Sequence, residues 1–482
     1  ATSVARVLPR SNGMLKRPLA ANATSILTSF TSPMTQARLA MRAFAAAPAM
    51  ATKSAEKPDM FCFQCEQTEN GTGCTVVGVC GKTPEVAALQ DYLVEACKGI
   101  SMYATRARKL GLKTTDADHF VLRALFSTVT NVNFDPEAIA GYIREGGKIR
   151  DALKQQYEAA AKNAGRPVEK LSGPAAFQYQ AKSTAELKAL GDSVGVLVRK
   201  AERGDDINGI QEMTVYGLKG AAAYAEHALV LGQEADEVYV AFHEILDAVT
   251  KPNPTLDEAL GVAMKVGQIN LKVMELLDAG GTGMYGHPEP TKVTHTPKPG
   301  KCILVSGHDL NYLEKILQQS ADKGINVYTH GELLPANAYP GLKKYKNLAG
   351  HYGGPWQLQK LEFAAFPGAI LMTTNCLVEP RKSYKARIFT KSVVGWPGVT
   401  HIEGDDYSPV IQAALEADGF TEEDCNVKPR FLTIGFARNT VMSKAGDIIN
   451  LVKTGKLSRF FVIGGCDGSE GERSYFTDLA KA

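Results

Sequence analysis

Cys62, Cys65, Cys74 and Cys80 fall within nineteen residues, in the run MFCFQCEQTENGTGCTVVGVCG, as a C-x2-C-x8-C-x5-C array. Thiolates repel one another and oxidise readily, so four on a short Gly- and Thr-rich loop imply a shared cation. A tetrahedral zinc and an iron–sulfur cluster both meet that need. Zinc ribbons pair two C-x2-C knuckles, whereas this loop has one knuckle and two unequally spaced single cysteines, which favours iron–sulfur. A disulfide knot fits less well, because Cys97, Cys302, Cys376, Cys425 and Cys466 are scattered along a large chain.

A second set of chemistry-bearing residues follows short apolar runs. CILVSG (302–307) is followed by His308 and Asp309, INVYTHG (325–331) by Glu332, AILMTTN (369–375) by Cys376, and RFFVIGG (459–465) by Cys466. In open parallel sheets the loops diverge beyond the carboxyl ends of strands and leave a crevice where ligands bind. Taken singly, each residue has an ordinary explanation: a helix cap, a solvated carboxylate, an inert core thiol. Four at the same end of four strands suit a centre that combines sulfur-bound iron with oxygen- and nitrogen-bound iron. Gly464, Gly465 and Gly468 around Cys466 would let backbone approach a bulky inorganic group. Cys97, on a helix face, Cys302, opening a strand, and Cys425, in a charged loop, are given no role.

The elements that must position these residues change character along the chain. From Thr83 to about residue 286 the pattern is helical. Thr83-Pro84 reads as an N-cap with proline at the first helical position, followed by Val86, Leu89, Leu93, Ala96 and Ile100 at helical steps. Thr255 with Glu258 forms a capping-box signature, opening a helix that places Leu260, Met264, Leu271 and Met274 on one face. The Ala-rich stretches 152–163 and 219–230 add further helices. HPEPTKVTHTPKPG (287–300) holds four prolines and reads as a linker. Beyond it, apolar runs that include 387–395 and 430–436 alternate with helical stretches, the pattern of parallel-sheet α/β domains. The expected fold class is therefore α + α/β multidomain: an N-terminal helical-bundle domain (59–290), a Rossmann-like α/β domain (291–429) and the start of a second one (430–482). Gly281, Gly283 and Gly286 fit G-x-G-x-x-G but follow a helix, so the strand context for a dinucleotide is missing. His243-Glu244 lacks the second histidine of a zinc helix, and Glu226-His227 offers no Glu-x-x-His for a di-iron bundle.

The chain has 482 residues and a net charge of +3. No basic face argues for nucleic acid, and no apolar run reaches the roughly 20 residues of a membrane span. Residues 1–55 hold Arg6, Arg10, Lys16, Arg17, Arg38, Arg42 and Lys53 with no acid, and are rich in Ser, Thr and Ala. Residues 1–58 have the composition of an organelle transit peptide, plastid favoured over mitochondrion.

The motifs MFCFQCEQT…GCT…GVCGK, SGHDL, VYTHGE-LPA, MTTNC, GWPGV and GGCDG…GER-YFTD together resemble the hybrid cluster protein family (prismane proteins, hydroxylamine reductases) over roughly residues 59–482. The resemblance implies a [4Fe–4S] cubane on Cys62, Cys65, Cys74 and Cys80. It also implies a hybrid 4Fe–2S–2O cluster to which His308, Glu332, Cys376 and Cys466 correspond, with Cys466 the expected persulfide. It further implies a helical domain followed by two Rossmann-like domains, related to carbon monoxide dehydrogenase. Family members continue past the YFTD motif and supply two more cysteines and a glutamate to the hybrid cluster. The last domain is accordingly expected to be truncated, and the hybrid cluster as given to be weakly held. The implied activity is two-electron reduction of hydroxylamine to ammonia and water, with Glu332 and Cys466 as catalytic residues and a redox donor such as a ferredoxin. Nitric oxide reduction, nitric oxide binding with thiol transnitrosylation, and a module holding the cubane alone are the competing readings.

Overall fold

The computed structural model describes residues 58–482 apart from Cys466 and residues 469–472. Residues 1–57, nearly all of the expected targeting segment, lie outside the described residues.

The first half is helical: α1 (Pro84–Arg108), α2 (Thr115–Ser127), α3 (Pro136–Asn163), α4 (Thr184–Asp192), α5 (Val196–Arg203), α6 (Asp205–Val230), α7 (Asp236–Ala248) and α8 (Leu256–Tyr285). The caps read from sequence are formed. Thr83 accepts the Val86 N–H, and Thr255 and Glu258 exchange both bonds of a capping box. The Ala-rich stretches are the second halves of α3 and α6. α1 is buried along almost its whole length and forms the axis of the helical core, with Leu89, Leu93, Ala96 and Ile100 fully enclosed.

One face was misread. Leu260, Met264, Leu271 and Met274 do not face the core; Met264 is 68% and Leu271 64% exposed. The buried line of α8 is Ala259, Val266, Val273 and Gly280. The reason is close packing on α6, where a Cβ on Gly217 would come within 3.1 Å of Val266 Cγ1. Backbones that close leave room for small and β-branched side chains only.

The second half centres on six parallel strands: β2 (Cys302–Ser306), β3 (Asn326–His330), β4 (Leu348–His351), β5 (Ala369–Met372), β6 (Ile388–Lys391) and β7 (Thr400–Ile402), in the order β4-β3-β2-β5-β6-β7. The strands are apolar because both faces are covered. Ile303 and Val305 pack with Leu313 and Ile316 of α9 (Leu310–Ser320), while Leu304 packs on the other side with Phe363 and Phe366. Chain order reverses between β2 and β5, which makes their carboxyl ends the topological switch point. The expected combination of helical bundle and parallel-sheet α/β domain is thus the observed fold.

Three strand expectations change. Phe431–Ile434 (β8) pairs antiparallel with β1 (Thr291–Thr294) rather than joining a parallel sheet, and β1 itself lies inside the proline-rich linker. Residues 459–465 form no strand; Phe460, Phe461 and Val462 are exposed and no neighbouring ladder among the described residues engages them. β4 and β7, of four and three residues, were too short to be read from sequence.

Candidate metal centres

The cysteine loop is folded on itself before α1 begins. Cys62 and Cys74 are cross-strand partners: the Cys62 N–H donates to Cys74 O at 3.1 Å and the Cys74 N–H to Cys62 O at 2.8 Å. Thr68 Oγ1 lies 3.6 Å from Cys74 Sγ, and the Glu69 N–H donates to the same sulfur at 3.5 Å. Lys82, nearly fully buried, brings its Nζ to 3.9 Å from Cys62 Sγ. Burial pushes the Cys65 and Cys80 thiols up, and in both cases the neighbouring cysteines of the array push further in the same direction. Burial opposes the charge on Lys82, but the thiols of Cys62 and Cys80 and the Asp91 carboxylate outweigh it and hold its pKa above the ordinary range.

Among the described residues, no three His, Cys, Asp or Glu side chains converge tightly enough to hold a single metal ion. Four thiols that sense one another, accept N–H···S bonds and face a buried ammonium fit a larger group of net negative charge, as an iron–sulfur cluster on four thiolates is.

Behind the loop lies a buried ionic network. Arg199 bonds Glu212 at 2.6 Å, and Lys98 bonds Glu95 at 2.6 Å. Burial raises Asp91 to about 6 and lowers Lys219 to about 8. A cavity of about 20 Å³ between these groups and Cys62 has room for about one water.

The second candidate centre sits at the switch point. His308, just past β2, places Nε2 2.5 Å from Glu332 Oε2, which follows β3. Cys376, just past β5, places Sγ 3.9 Å from the same oxygen. Three of the four residues named from sequence are therefore brought together. The fourth, Cys466, lies outside the described residues. His308 Nδ1 is engaged by Thr374 Oγ1 at 2.7 Å, so Nε2 is the nitrogen that faces the site. The hydrogen bond from His308 holds the Glu332 carboxyl below its usual range. Gly307 adopts φ +134°, and a Cβ there would lie 2.3 Å from Thr373 Oγ1; only glycine lets β2 turn this close to β5.

Cys376 has φ +78°, a conformation that L residues other than Asn and Asp rarely adopt. Residues that sequence reading missed hold it there. Asn131 accepts the Cys376 N–H through Oδ1 at 3.0 Å and the Leu377 N–H through its carbonyl at 3.1 Å. Gln359 donates to Cys376 O at 2.6 Å and accepts the Val378 N–H at 3.0 Å. Strain held by several partners is characteristic of functional positions. Asp309 caps α9 through the Tyr312 N–H at 2.7 Å and bonds His227 at 3.2 Å.

Of the glycines around Cys466, Gly465 and Gly468 have close neighbours, whereas a Cβ on Gly464 would meet nothing within 4 Å. A Cβ on Gly465 would meet Phe476 at 2.6 Å, and one on Gly468 would meet Gln67 Nε2 at 1.9 Å, so this segment packs against the cysteine loop. Arg473 adds an ion pair to Glu66 at 2.7 Å. Burial pushes the Cys97 and Cys302 thiols to about 12, which leaves both inert. His243 is a buried structural residue bonded to Ser101 and Asp118.

A helical bundle that carries a tetracysteine loop, joined to a doubly wound sheet with thiol, imidazole and carboxylate at its switch point, defines a metalloenzyme of the redox class. The chain belongs to the Prismane/CO dehydrogenase family, whose model matches residues 60–482. It is 49% identical over 426 residues to the hydroxylamine reductase of Thermodesulfovibrio yellowstonii, covering 88% of this chain and 76% of that one. It is 48% identical over 421 residues to the hydroxylamine reductase of Rhodospirillum rubrum, covering 87% and 76%. Among solved structures it is similar to a nickel-free carbon monoxide dehydrogenase from Thermococcus sp. AM4 (14% identity, TM-score 0.34, 83% of this chain and 62% of that one). It is also similar to carbon monoxide dehydrogenase IV from Carboxydothermus hydrogenoformans (14%, TM-score 0.33, 84% and 62%). Family membership implies iron–sulfur clusters. No helix among the described residues is long and apolar enough to cross a membrane.

Proposed function

We propose that this chain is a hydroxylamine reductase, in which hydroxylamine, two electrons and two protons give ammonia and water. The observation that carries the reading is the convergence of His308, Glu332 and Cys376 at the switch point of the sheet, in a chain nearly half identical to proteins that bear that name.

In this reading Cys62, Cys65, Cys74 and Cys80 hold a [4Fe–4S] cubane, and His308, Glu332, Cys376 and Cys466 contribute to a hybrid 4Fe–2S–2O cluster, with Cys466 the persulfide. Bound by these residues, the two clusters would supply electrons and the Lewis acidity that favours cleavage of the N–O bond. Thr374 fixes the His308 ring so that Nε2 and the Glu332 carboxylate point to one place. His308 Nε2 and Glu332 Oε2, 2.5 Å apart, share a proton across their hydrogen bond, and through it the pair can deliver a proton to the substrate. The buried network behind Cys62, with Lys82 at its edge, offsets the charge of the first centre. Electrons come from a small iron–sulfur carrier of the ferredoxin type, and residues 1–58 direct the protein to a plastid. A fusion of those residues to a fluorescent protein tests the destination.

The activity is tested on anaerobically purified, iron-loaded protein with a viologen reductant. Hydroxylamine-dependent ammonia formation is expected, with about eight irons per chain in the full-length protein and about four where the cubane alone is held. No turnover by the full-length protein with either hydroxylamine or nitric oxide overturns the assignment.

A further inference from the structure

The face around the cysteine loop carries an exposed apolar patch with a basic rim. Val76, Val77 and Val79, between the last two cysteines, are 62%, 50% and 49% exposed. Apolar side chains on a charged protein's surface are common singly, but three together on one short loop mark a contact surface. The loop abuts the segment after β5: a Cβ on Gly81 would lie 3.4 Å from the Trp396 ring and 3.8 Å from Glu379 Cβ. That segment reads Glu379-Pro-Arg381-Lys382-Ser-Tyr-Lys385, with Arg381 and Lys382 exposed and Lys385 half-buried. The short helix α10 (Gln359–Ala365) adjoins this segment through Lys360, which reaches Glu379.

The charges on this face do not cancel. Glu379 is matched by Lys360 at 3.8 Å, and of the loop's two acids Glu66 is matched by Arg473 at 2.7 Å, leaving Glu69. Among the described residues, Arg381, Lys382 and Lys385 have no acidic partner. A folded protein gains nothing from three unmatched cations on one short segment, since they repel one another and stay hydrated. A partner bearing the opposite charge gains both orientation and encounter rate from them.

We propose that this face is the docking surface for an acidic electron-carrier protein, whose apolar centre covers Val76, Val77 and Val79 while its carboxylates meet Arg381, Lys382 and Lys385. The proposal rests on the reading that electrons enter through the Cys62–Cys80 loop, and it names where they are delivered. The occupant is acidic because the rim is basic. It is a protein rather than a small molecule because the apolar residues stand out on a loop instead of lining a cavity. Contact over Val76–Val79 sets a carrier directly against the residues joining Cys74 to Cys80.

The test uses stopped-flow reduction of the iron-loaded full chain by a reduced plant-type [2Fe–2S] ferredoxin, beside reduction by dithionite. The ferredoxin rate is expected to fall steeply with ionic strength. It should also fall about tenfold or more in the R381E/K382E double variant, while the dithionite rate stays unchanged. V77D is expected to slow the ferredoxin and spare dithionite in the same way. Should the double charge reversal lose iron, R381Q/K382Q gives the same comparison at milder cost. A ferredoxin rate unaltered by these changes overturns the proposal, as does equal slowing by K154E/K162E on α3. Failure of the functional reading looks different: ferredoxin then reduces the protein at the normal, patch-dependent rate, and hydroxylamine is not consumed.

Discussion

Lys82 is the residue whose charge bears most directly on the first centre. Its ammonium is almost fully buried and 3.9 Å from Cys62 Sγ. Each electron added to a cluster on the four cysteines is stabilised by a nearby positive charge that water does not screen. Lys82→Met keeps the side-chain volume and removes the charge, so the reduction potential of the cluster should become more negative, by roughly 1–2 kcal/mol of reduction free energy. A potentiometric titration followed by electron paramagnetic resonance measures it, and an unchanged midpoint would show that Lys82 serves packing alone. Cys376 offers the opposite case, a side chain held at the expense of backbone strain. At φ +78° glycine is at ease and cysteine is not. Cys376→Gly should therefore leave the thermal midpoint of the metal-free protein unchanged or raised, by about 1 kcal/mol at most. The same variant should lose iron from the second centre while keeping the first, and iron content read beside the melting curve separates these two effects.

At the scale of elements, helix α8 decides how far an apolar pattern can be trusted. Leu260, Met264, Leu271 and Met274 recur at helical spacing, and so do Ala259, Val266, Val273 and Gly280. The larger side chains lost because α6 approaches too closely to admit them. Val273→Ala should accordingly cost roughly 1–2 kcal/mol, and Met264→Lys less than about 0.5 kcal/mol, in chemical denaturation. The meeting of His308, Glu332 and Cys376 was legible for a different reason. Each of the three follows a strand, and the carboxyl ends of parallel strands meet wherever the chain takes them. Asn131 and Gln359 were not legible, because nothing near either in sequence shows that it will support a cysteine past β5. Buried charge is similarly silent in the sequence. Glu226, on α6, has one carboxylate oxygen without a partner, and burial raises its pKa to about 7. A carboxyl whose folded pKa lies above its unfolded value stabilises the fold below about pH 4.5, and that contribution is lost as pH rises through 7. Glu226→Gln should thus raise the thermal midpoint at pH 8.5, by an amount on the order of 2 kcal/mol, and change little at pH 4.5. Equal shifts at both pH values would show that the effect is not ionisation.

At the scale of the molecule, the two candidate centres belong to different halves of the fold, and electrons are useful only if those halves keep a fixed spacing. The junction is built from close contacts. Phe134 and Trp396 pack with ring centroids 4.7 Å apart, and the Phe134 N–H donates to Gly395 O at 2.8 Å. Asn131, from the same inter-helix segment, holds Cys376. On the other side of Trp396, Gly81 meets the indole and Glu379, and from Glu379 to Cys376 is three residues, at most about 11 Å of chain. Cys80 and Cys376 are therefore linked by one short bridge that passes through Gly81 and Glu379. Gly81→Leu should wedge that bridge open, since a Cβ there already touches Trp396. Iron content and dithionite reduction of the first centre should stay normal, while hydroxylamine turnover slows several-fold because the internal electron step lengthens. Gly111→Leu is the matched control: it also has a positive φ, at +80°, but no neighbour lies within 4 Å of its Cβ position. Both variants carry similar backbone strain, so only the spacing between centres distinguishes them. Turnover reduced equally in the two would mean that strain, rather than the junction at Trp396, limits the enzyme.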